Sequence, residues 1–316
     1  MNKMRMDIDL VYFWVDGNDP KWRAKHDAFC GKTSGTVETN GINRFANNDE
    51  LKYSLRSVAM YAPWIRKIFI ITDDQVPVWL DTSNPNVKII DHKDILPAES
   101  LPCFNSCLIG HYAYRTPGLA EHFLLGNDDT YINREVAPGD FFTSDGLPIV
   151  RLRRMYFRKL RWSFRENVRK KTLSNYRRTL QRASQLVSDK FGHYYTGIPH
   201  HNINALLKSV CRDVAENIMR DEFVANNKNH IRNDDDVQNV VFSYVALAEK
   251  RGKLRYVTDK ESMIVKIHKD KHYERLDKYR PMLFCMNDSE YANDRGRAMA
   301  KAYLEKRFPD KSEFEK

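Results

Sequence analysis

The sequence predicts an α/β fold in which a mostly parallel sheet is flanked by helices, followed by a basic helical insertion and a helical second half. Two observations predict the sheet: short β-branched and aromatic runs alternate with segments of helical periodicity, and several of these runs end in acidic side chains. Near residue 150 the pattern changes to long helical segments. We therefore expect an α/β core at residues 1–150, a basic helical insertion at 151–190, and a helical part at 191–316 that completes the functional site.

Four strands are predicted in the first half from runs of apolar residues. A helix is expected between the first two strands, because Leu51, Leu55 and Val58 recur at helical spacing. Residues 47–49 supply potential caps for this helix, and it should end before Pro63. The predicted strands are residues 9–15, 67–72, 87–90 and 123–126.

The second half is predicted to be largely helical. Apolar residues at helical spacing indicate helices over residues 214–223, 237–250 and 289–307, and a short apolar run indicates a strand over 254–258. Residues 233–236, Asn-Asp-Asp-Asp, precede the second of these helices, so we expect them to cap its N-terminus.

The composition is that of a globular protein, because 42% of the 316 residues are hydrophobic. No run of about 18 apolar residues occurs, and the first residues are charged and lack the apolar core of a signal peptide. We therefore expect a soluble, cytoplasmic protein. The five cysteines are scattered along the chain, which predicts free thiols in a reducing compartment.

Most of the positive charge is concentrated in one block. The net charge is +10, and residues 151–182 contain thirteen lysines and arginines with Glu166 as the only acid. Aromatic side chains are interleaved with these cations, which suits an anionic membrane surface or a polyanionic glycan. The alternative is a solvated helical face. No nucleic-acid-binding motif accompanies the charge, so a nucleic acid is not the expected partner.

Acidic and amide side chains directly follow the fourth predicted strand. Asn127, Asp128 and Asp129 would lie at the carboxyl edge of the sheet, where open α/β sheets bind their ligands. Adjacent carboxylates there could hold Mg²⁺ or Mn²⁺ against a diphosphate. The same residue types are also common in turns, which is the alternative interpretation.

Two other strands end in the same way. Asp73 follows the second strand, and Asp16 follows the first, with Trp14 before it and Gly17 after it. The loop around Asp16 could bind a nucleotide or could be a simple turn. Acids at several strand ends would converge on one edge of the sheet, which favours a common binding site for substrate and cation.

Histidine and arginine candidates come from the second half of the chain. His200 and His201 form a pair in which one imidazole could act as a base or donate to a phosphate, although a histidine is more often structural. Arg232 precedes the acidic run at 233–236 and is a candidate phosphate clamp.

Four blocks of sequence carry a resemblance to a known family. The first is DIDLVYFWVDGNDPKW, and the second contains NDELKYSLRSVAMYAPWIRKIFIITDDQVPVWL, LPCFNS and GLAEHFLLGNDD. The third contains PHHN and HIRNDDDVQNVVFSY, and the last contains FCMNDS and FPDKSEFEK. In content and order these blocks resemble the Stealth family of sugar-1-phosphate transferases, which includes bacterial capsule polymerases and the lysosomal-enzyme N-acetylglucosamine-1-phosphotransferase. The basic block is not part of the likeness.

The resemblance implies a Rossmann-like sheet of the glycosyltransferase-A type and a metal-dependent phosphotransferase of capsule or exopolysaccharide synthesis. Such an enzyme would transfer a hexose-1-phosphate, N-acetylhexosamine-1-phosphate being expected, from a UDP-sugar to a glycan or lipid-linked glycan, and would release UMP. The composition of residues 151–182, and not the resemblance, predicts that such a cytoplasmic enzyme lies on the anionic inner face of the cell membrane. The resemblance further implies Asp16 in the nucleotide site, Asp128 and Asp129 as metal ligands, and Glu50, Arg56, His200 and Arg232 as active-site groups.

Two other functions stay open at the level of sequence. An ordinary nucleotide-sugar glycosyltransferase could use the same sheet and acids, but it would release a nucleoside diphosphate. A non-enzymatic module that binds a polyanion would account for the basic block, but the acids at the strand ends would repel such a ligand unless a cation is bound.

Overall fold

The structure, a computed structural model, describes residues 6–31, 45, 47–289 and 291–316. Its strands are β1 Ile8–Phe13, β2 Ile68–Thr72, β3 Val87–Asp91, β4 His122–Asn127, β5 Thr130–Ile132, β6 Ile149–Arg153, β7 Ile198–Pro199, β8 Asn204–Leu207, β9 Lys253–Tyr256, β10 Ser262–Lys266 and β11 Leu283–Asn287. Its α-helices are α1 Pro20–Cys30, α2 Glu50–Tyr61, α3 Ser106–Tyr112, α4 Arg158–Asn167, α5 Asn175–Phe191, α6 Lys208–Asp213, α7 Arg220–Asn226, α8 Val240–Ala248, α9 Asp270–Tyr279 and α10 Asp294–Arg307.

The main sheet has five strands in the order β3-β2-β1-β4-β8. The first four run parallel, and β8 is antiparallel to β4. The central strand β1 and its neighbour β2 are buried almost throughout, which explains their continuous apolar sequences. The prediction of a mostly parallel α/β sheet is therefore confirmed.

The strand order places a switch point between β1 and β4. Along the sheet the chain passes from β1 outward to β2 and β3, and then returns to the other side of β1 with β4. Connections diverge at such a point and leave a crevice at the carboxyl ends of the two strands. In this chain those ends are Phe13 and Asn127, which lie opposite each other in register.

Helix α2 is fixed to the sheet by buried hydroxyl groups. The Ser54 hydroxyl is 2.7 Å from the Tyr12 hydroxyl and donates to the backbone oxygen of Thr130 at 2.6 Å. One turn later, Ser57 Oγ accepts from the backbone N–H of Ile132 at 3.1 Å. These bonds hold the first turn of α2, and with it Glu50, close to the segment that follows β4.

The second half of the chain is less helical than the sequence predicted. It supplies β8 to the main sheet and forms two smaller sheets with strands of the first half, ordered β10-β11-β5 and β7-β6-β9. One apolar core cluster contains residues from Ile8 to Phe314. The predicted boundary near residue 150 falls within β6, which pairs with β9 from the second half.

Several predicted elements need correction. The 214–223 helix is a π-helical turn over Val214–Ile218 followed by α7, and the 289–307 helix begins only at Asp294. The acidic run at 233–236 does not cap α8, whose N-cap residue is Asn239. Asp49 lies at the start of α2 in a left-handed conformation and makes no side-chain cap.

The basic block forms α4 and α5. The apolar side of α5, which includes Leu180, Ala183 and Val187, is buried, and this helix packs against α8. None of the helices in the described ranges is long and apolar enough to cross a membrane. All five cysteines are buried, and no two of them form a disulfide.

Candidate active site

A cleft of about 270 Å³ opens at the switch point between β1 and β4. Its walls combine the ends of these strands, the start of α2, the loop before α3 and three segments of the second half. The lining residues with polar side chains are Trp14, Trp22, Glu50, His92, Cys103, Ser106, Asn127, Asp128, Asp129, His201, Arg232, Asn287 and Asp288. The cleft therefore brings together residues from both halves of the sequence.

Three of the four carboxylates that line the cleft, Glu50, Asp128 and Asp129, form an acidic cluster. The fourth, Asp288, forms an ion pair with Arg297 at 2.8 Å. Glu50 is half-buried, and its oxygens accept from the backbone N–H of Asn48 at 2.6 Å and from the Asn48 side chain at 2.7 Å. Burial raises the pKa of Glu50, Asp128 and Asp129, and the proximity of Asp129 and Glu50 raises the pKa of Asp128 further. Without a cation, the protein holds negative charges close together, which costs free energy.

Asp129 has one satisfied and one unsatisfied oxygen. The Cys285 thiol donates to Asp129 Oδ2 at 3.1 Å, whereas Asp129 Oδ1 is buried and has no hydrogen-bond partner among the described residues. Burial, with the nearby Asp129 carboxylate adding to it, keeps the pKa of Cys285 well above its ordinary value, so the sulfur stays a thiol. His201 completes a group in which the ligand atoms of all three residues lie within 4.8 Å of one another.

A divalent cation fits this group through its oxygen and nitrogen donors. The orphaned Asp129 oxygen, the neighbouring Asp128 carboxylate and the His201 imidazole are donors that Mg²⁺ or Mn²⁺ accepts. A protonated thiol is a poor ligand for these hard cations, so Cys285 orients Asp129 and does not belong to the expected ligand set. A buried acceptor without a donor is otherwise costly, and a cation would remove that cost.

Arg232 supplies the positive side of the cleft. Its Nη2 donates to the Ser106 hydroxyl at 2.6 Å, and both side chains line the cleft. The loop that carries Arg232 is held by Asp236, which accepts from Asn105 at 2.9 Å and from Asn229 at 2.8 Å. This is the role of the acidic run that the sequence suggested as a helix cap.

The loop after β1 lies beside the cleft. Trp14 lines the cleft and also a second, adjoining hollow that contains Asp16. The Gly17 backbone N–H donates to the backbone oxygen of Phe45 at 2.8 Å, and a Cβ at Gly17 would lie 2.4 Å from that oxygen. Glycine is therefore needed where the two segments cross.

Two further predicted site residues come from the first half of the chain and lie outside the cleft lining. Asp73 is buried and forms an ion pair with Lys25 at 2.6 Å. Arg56 forms a bidentate ion pair with Glu315, with both distances 2.8 Å, and donates to the backbone oxygen of Phe308 at 2.9 Å. Arg56 therefore joins α2 to the C-terminal segment and is not among the residues that line the cleft.

His200 is also outside the cleft lining. It is fully buried, with Nδ1 2.7 Å from the Ser262 hydroxyl and Nε2 3.1 Å from Asn204 Oδ1. Burial lowers the pKa of His200 to about 3, so the ring is neutral and fully engaged. The neighbouring His201 has a left-handed backbone conformation with φ of 52° and lines the cleft. Of the two histidines, the structure therefore places His201 and not His200 in the cleft lining.

Sequence reasoning missed several residues of the cleft. Asp288 and Asn287 lie at the end of β11, an apolar strand that ends in polar residues like β1 and β4. The same pattern could have identified them. His92 and Ser106 carried no signal of this kind, because only the folding of their loops brings them to the cleft.

The fold and the cleft define the class of protein: an α/β protein with an acidic, cation-suited cleft at the switch point of its sheet. Residues 6–33 match conserved region 1 of Stealth proteins, and residues 44–150 match conserved region 2. The two matches together cover less than half of the chain, and they make its first half similar to Stealth proteins.

Curated relatives align with nearly half of the chain. An exopolysaccharide phosphotransferase of Lactiplantibacillus plantarum is 46% identical over 142 residues, which is 45% of this chain and 41% of that protein. A capsular polysaccharide phosphotransferase of Actinobacillus pleuropneumoniae is 42% identical over 144 residues, 45% of this chain and 40% of that protein. A capsular polysaccharide phosphotransferase of Streptococcus pneumoniae is 40% identical over 149 residues, which is 47% of this chain and 44% of that protein. The chain spans less than half the length of these relatives.

Solved structures also align with the chain. A crystal structure of the galactosyltransferase LgtC with donor and acceptor sugar analogs aligns over 96% of this chain and 98% of that one, with a TM-score of 0.45 and 11% identity. The glycosyltransferase GlyE of Streptococcus pneumoniae aligns over 94% of this chain and 60% of that one, with a TM-score of 0.45 and 12% identity.

Proposed function

We propose that this protein transfers a hexose-1-phosphate, N-acetylhexosamine-1-phosphate in the first instance, from a UDP-sugar to a sugar hydroxyl. The hydroxyl oxygen attacks the phosphorus next to the sugar, and the bond from that phosphorus to the bridging oxygen breaks. UMP leaves, and a phosphodiester joins donor sugar and acceptor. The acceptor is a glycan or a lipid-linked glycan of a capsule or exopolysaccharide, made on the cytoplasmic side of the cell membrane.

The observation that carries this proposal is one cleft that holds four carboxylates together with His201 and Arg232. Phosphoryl transfer needs charge balance and positioning more than covalent help, and this set of groups supplies both. The names of the curated relatives, exopolysaccharide and capsular polysaccharide phosphotransferases, support the same reaction.

Each part of the cleft has a place in the proposal. Asp128 and Asp129, with His201, would hold Mg²⁺ or Mn²⁺, which neutralises phosphate charge when bound. Arg232 would contact the phosphoryl oxygens through its guanidinium, which Ser106 orients. Glu50 is the nearby carboxylate that would accept the proton of the attacking hydroxyl. Trp14, Asn127 and the loop at Asp16 and Gly17 would bind the nucleotide, with Asp73 supporting that loop through Lys25 on α1.

The test follows the phosphorus that is transferred. UDP-N-acetylglucosamine labelled with ³²P at the phosphate next to the sugar is incubated with Mg²⁺ or Mn²⁺ and a panel of oligosaccharide acceptors. The proposal expects label in the acceptor and unlabelled UMP as the released nucleotide. Label that stays in released UDP would identify an ordinary glycosyltransferase, and a transfer that is unchanged by EDTA would contradict the metal.

Asp128→Asn and Asp129→Asn should each reduce turnover by about a thousandfold, because a lost carboxylate at a metal site removes several kcal/mol of transition-state stabilisation. Each variant should also weaken Mn²⁺ binding, measured by titration calorimetry. Asp145→Asn, at an exposed loop, is the matched control and should behave as wild type. Normal Mn²⁺ binding by both cleft variants would contradict the assignment.

A further inference from the structure

A stripe of large apolar side chains is exposed along α4 and its flanks. Leu160 and Phe164 lie four residues apart on the helix and so share one side of it. Tyr156 and Phe157 precede them and Val168 follows. We define the exposed stripe as Tyr156, Phe157, Leu160, Phe164 and Val168, whose exposed fractions are 63%, 73%, 69%, 48% and 62%.

The stripe is a local concentration of exposed apolar surface. Thirteen large hydrophobic side chains are exposed among the described residues, and five of them fall within the thirteen residues 156–168. Isolated exposed apolar side chains are ordinary, whereas a contiguous set usually marks an interaction surface.

The opposite side of α4 is firmly anchored, so the stripe cannot turn inward. Arg158 is fully buried, donates to the Ser184 hydroxyl and to the backbone oxygen of Tyr195, and lies 5.0 Å from the Trp162 ring. Trp162, one turn later, is also buried. The helix therefore has an inner face that packs on the protein and an outer face that is apolar.

The structure divides the basic block into structural and exposed cations. Arg151 and Arg153 pair with Glu261 and Asp259, and Arg158 is internal. The remaining exposed cations lie around the stripe: Arg154, Lys159, Arg161, Arg169, Lys170 and Lys171. The one acid of this segment is Glu166. The exposed stripe is thus surrounded by positive charge.

Arg154 connects the stripe with the neighbouring strand. Its guanidinium donates to the Tyr156 hydroxyl at 3.1 Å and lies 4.4 Å from the ring of Tyr256 on β9. Tyr256 and Leu254 on that strand are themselves 40% and 36% exposed. The amphipathic surface therefore extends from α4 onto β9.

We propose that the exposed stripe and its ring of cations dock the protein on an anionic lipid bilayer. Aromatic and aliphatic side chains enter the boundary between headgroups and acyl chains, while lysine and arginine remain at the anionic headgroups. A polyanionic glycan would satisfy the cations but offers no apolar phase for five exposed hydrophobic side chains. The bilayer matches both features, and this inference does not depend on the reaction proposed above.

The test is sedimentation of the full-length protein with vesicles of 30% phosphatidylglycerol and 70% phosphatidylcholine. Wild type should bind at low salt and bind much less to pure phosphatidylcholine. Leu160→Ser with Phe164→Ser should weaken binding at least tenfold. The matched apolar control is Met60→Ser with Val224→Ser, two exposed residues far from the stripe in sequence, and it should bind as wild type.

Charge is tested by a second pair of variants. Arg161→Glu with Lys171→Glu should weaken vesicle binding at least tenfold, because each cation at an anionic surface contributes about fivefold. Lys88→Glu with Lys306→Glu makes the same change in net charge at exposed positions elsewhere and should have a much smaller effect. Unchanged melting temperatures would show that each variant is folded.

Three results would overturn the proposal. Wild type could fail to bind the anionic vesicles at low salt, or the stripe variants could bind as well as their controls. The protein could also bind a soluble polyphosphate while ignoring vesicles, which would identify the surface as a polyanion site and exclude the bilayer.

Discussion

Two adjacent histidines have different environments, and a single peptide unit separates a buried structural ring from a ring in the cleft. His200 bonds Ser262 and Asn204 inside the protein, whereas His201 lies near Asp129 and Cys285. The left-handed backbone at His201 turns the second ring toward the cleft. Such a conformation is uncommon for a side chain with a Cβ and is found where the surrounding structure enforces it.

The two rings should therefore respond differently to substitution. His200→Ala leaves buried hydrogen-bonding groups without partners and should lower the free energy of unfolding by about 1–3 kcal/mol. His201→Gln should lower turnover at least tenfold and leave the urea unfolding midpoint nearly unchanged. Unfolding and turnover are measured for both variants. A large loss of turnover with normal stability in His200→Ala, together with normal turnover in His201→Gln, would return His200 to the active site.

A buried histidine on α3 should make stability depend on pH. His111 bonds the backbone oxygen of Val237 at 2.7 Å and stacks on Phe223, and burial lowers its pKa to about 4. Its ordinary pKa is about 6.5, so the unfolded chain takes up the proton first as pH falls. The stability contribution of His111 is therefore present above about pH 6.5 and is lost as pH falls toward 4.

The expected slope is about 1.4 kcal/mol per pH unit across that window. Urea unfolding of wild type and His111→Gln at pH 7, 6 and 5 isolates it, since the buried carboxyl groups with raised pKa contribute equally to both proteins. The variant should lose less stability between pH 7 and pH 5 than wild type. Parallel stability curves for the two proteins would contradict a buried, neutral His111.

At the scale of elements, the pair between Arg56 and Glu315 joins α2 to the C-terminal segment. Both side chains are largely buried, with exposed fractions of 10% and 2%. Removing one partner leaves the other charge buried, so Arg56→Met should lower the free energy of unfolding by about 3 kcal/mol.

The control for this pair is Arg295→Met, which breaks the exposed pair with Asp270 and should cost less than about 1 kcal/mol. Turnover per folded molecule should stay within about twofold of wild type in Arg56→Met. A large loss of turnover in a protein of normal stability would instead return Arg56 to the active site.

At the scale of the whole molecule, the two halves of the chain share strands and core. The fifth strand of the main sheet comes from residues 204–207, and one core cluster includes Ile8 and Phe314. The first half therefore lacks part of its sheet when taken alone. We expect the chain to unfold as one cooperative unit.

Chemical unfolding tests this expectation with two probes. Tryptophan fluorescence reports mainly the first half, which contains Trp14, Trp22, Trp64 and Trp79, with Trp162 on α4. Far-UV circular dichroism reports the helices of the second half as well. The two curves should coincide. A separate transition seen by only one probe would indicate independent units with a boundary near residue 150.

The sequence determined the parallel part of the sheet and its acidic edge. Continuous apolar runs mark β1, β2 and β4 because strands of a parallel sheet are buried on both faces. Asn127, Asp128 and Asp129 follow from the same pattern, since the carboxyl ends of parallel strands share one edge. These features depend on short stretches of chain, so local sequence was sufficient to predict them.

Tertiary structure decided which second-half residues reach that edge. Contacts between residues far apart in sequence place His201, and not His200, in the cleft. Such contacts also place the Cys285 thiol beside Asp129. They pair Arg56 with Glu315 of the C-terminal segment. The same holds for the basic block, where burial of Arg158 and exposure of Leu160 give opposite roles to neighbouring residues. The sequence shows which residues are charged and which are apolar. Whether such a side chain is buried or exposed depends on which face of its helix or strand packs against the rest of the protein.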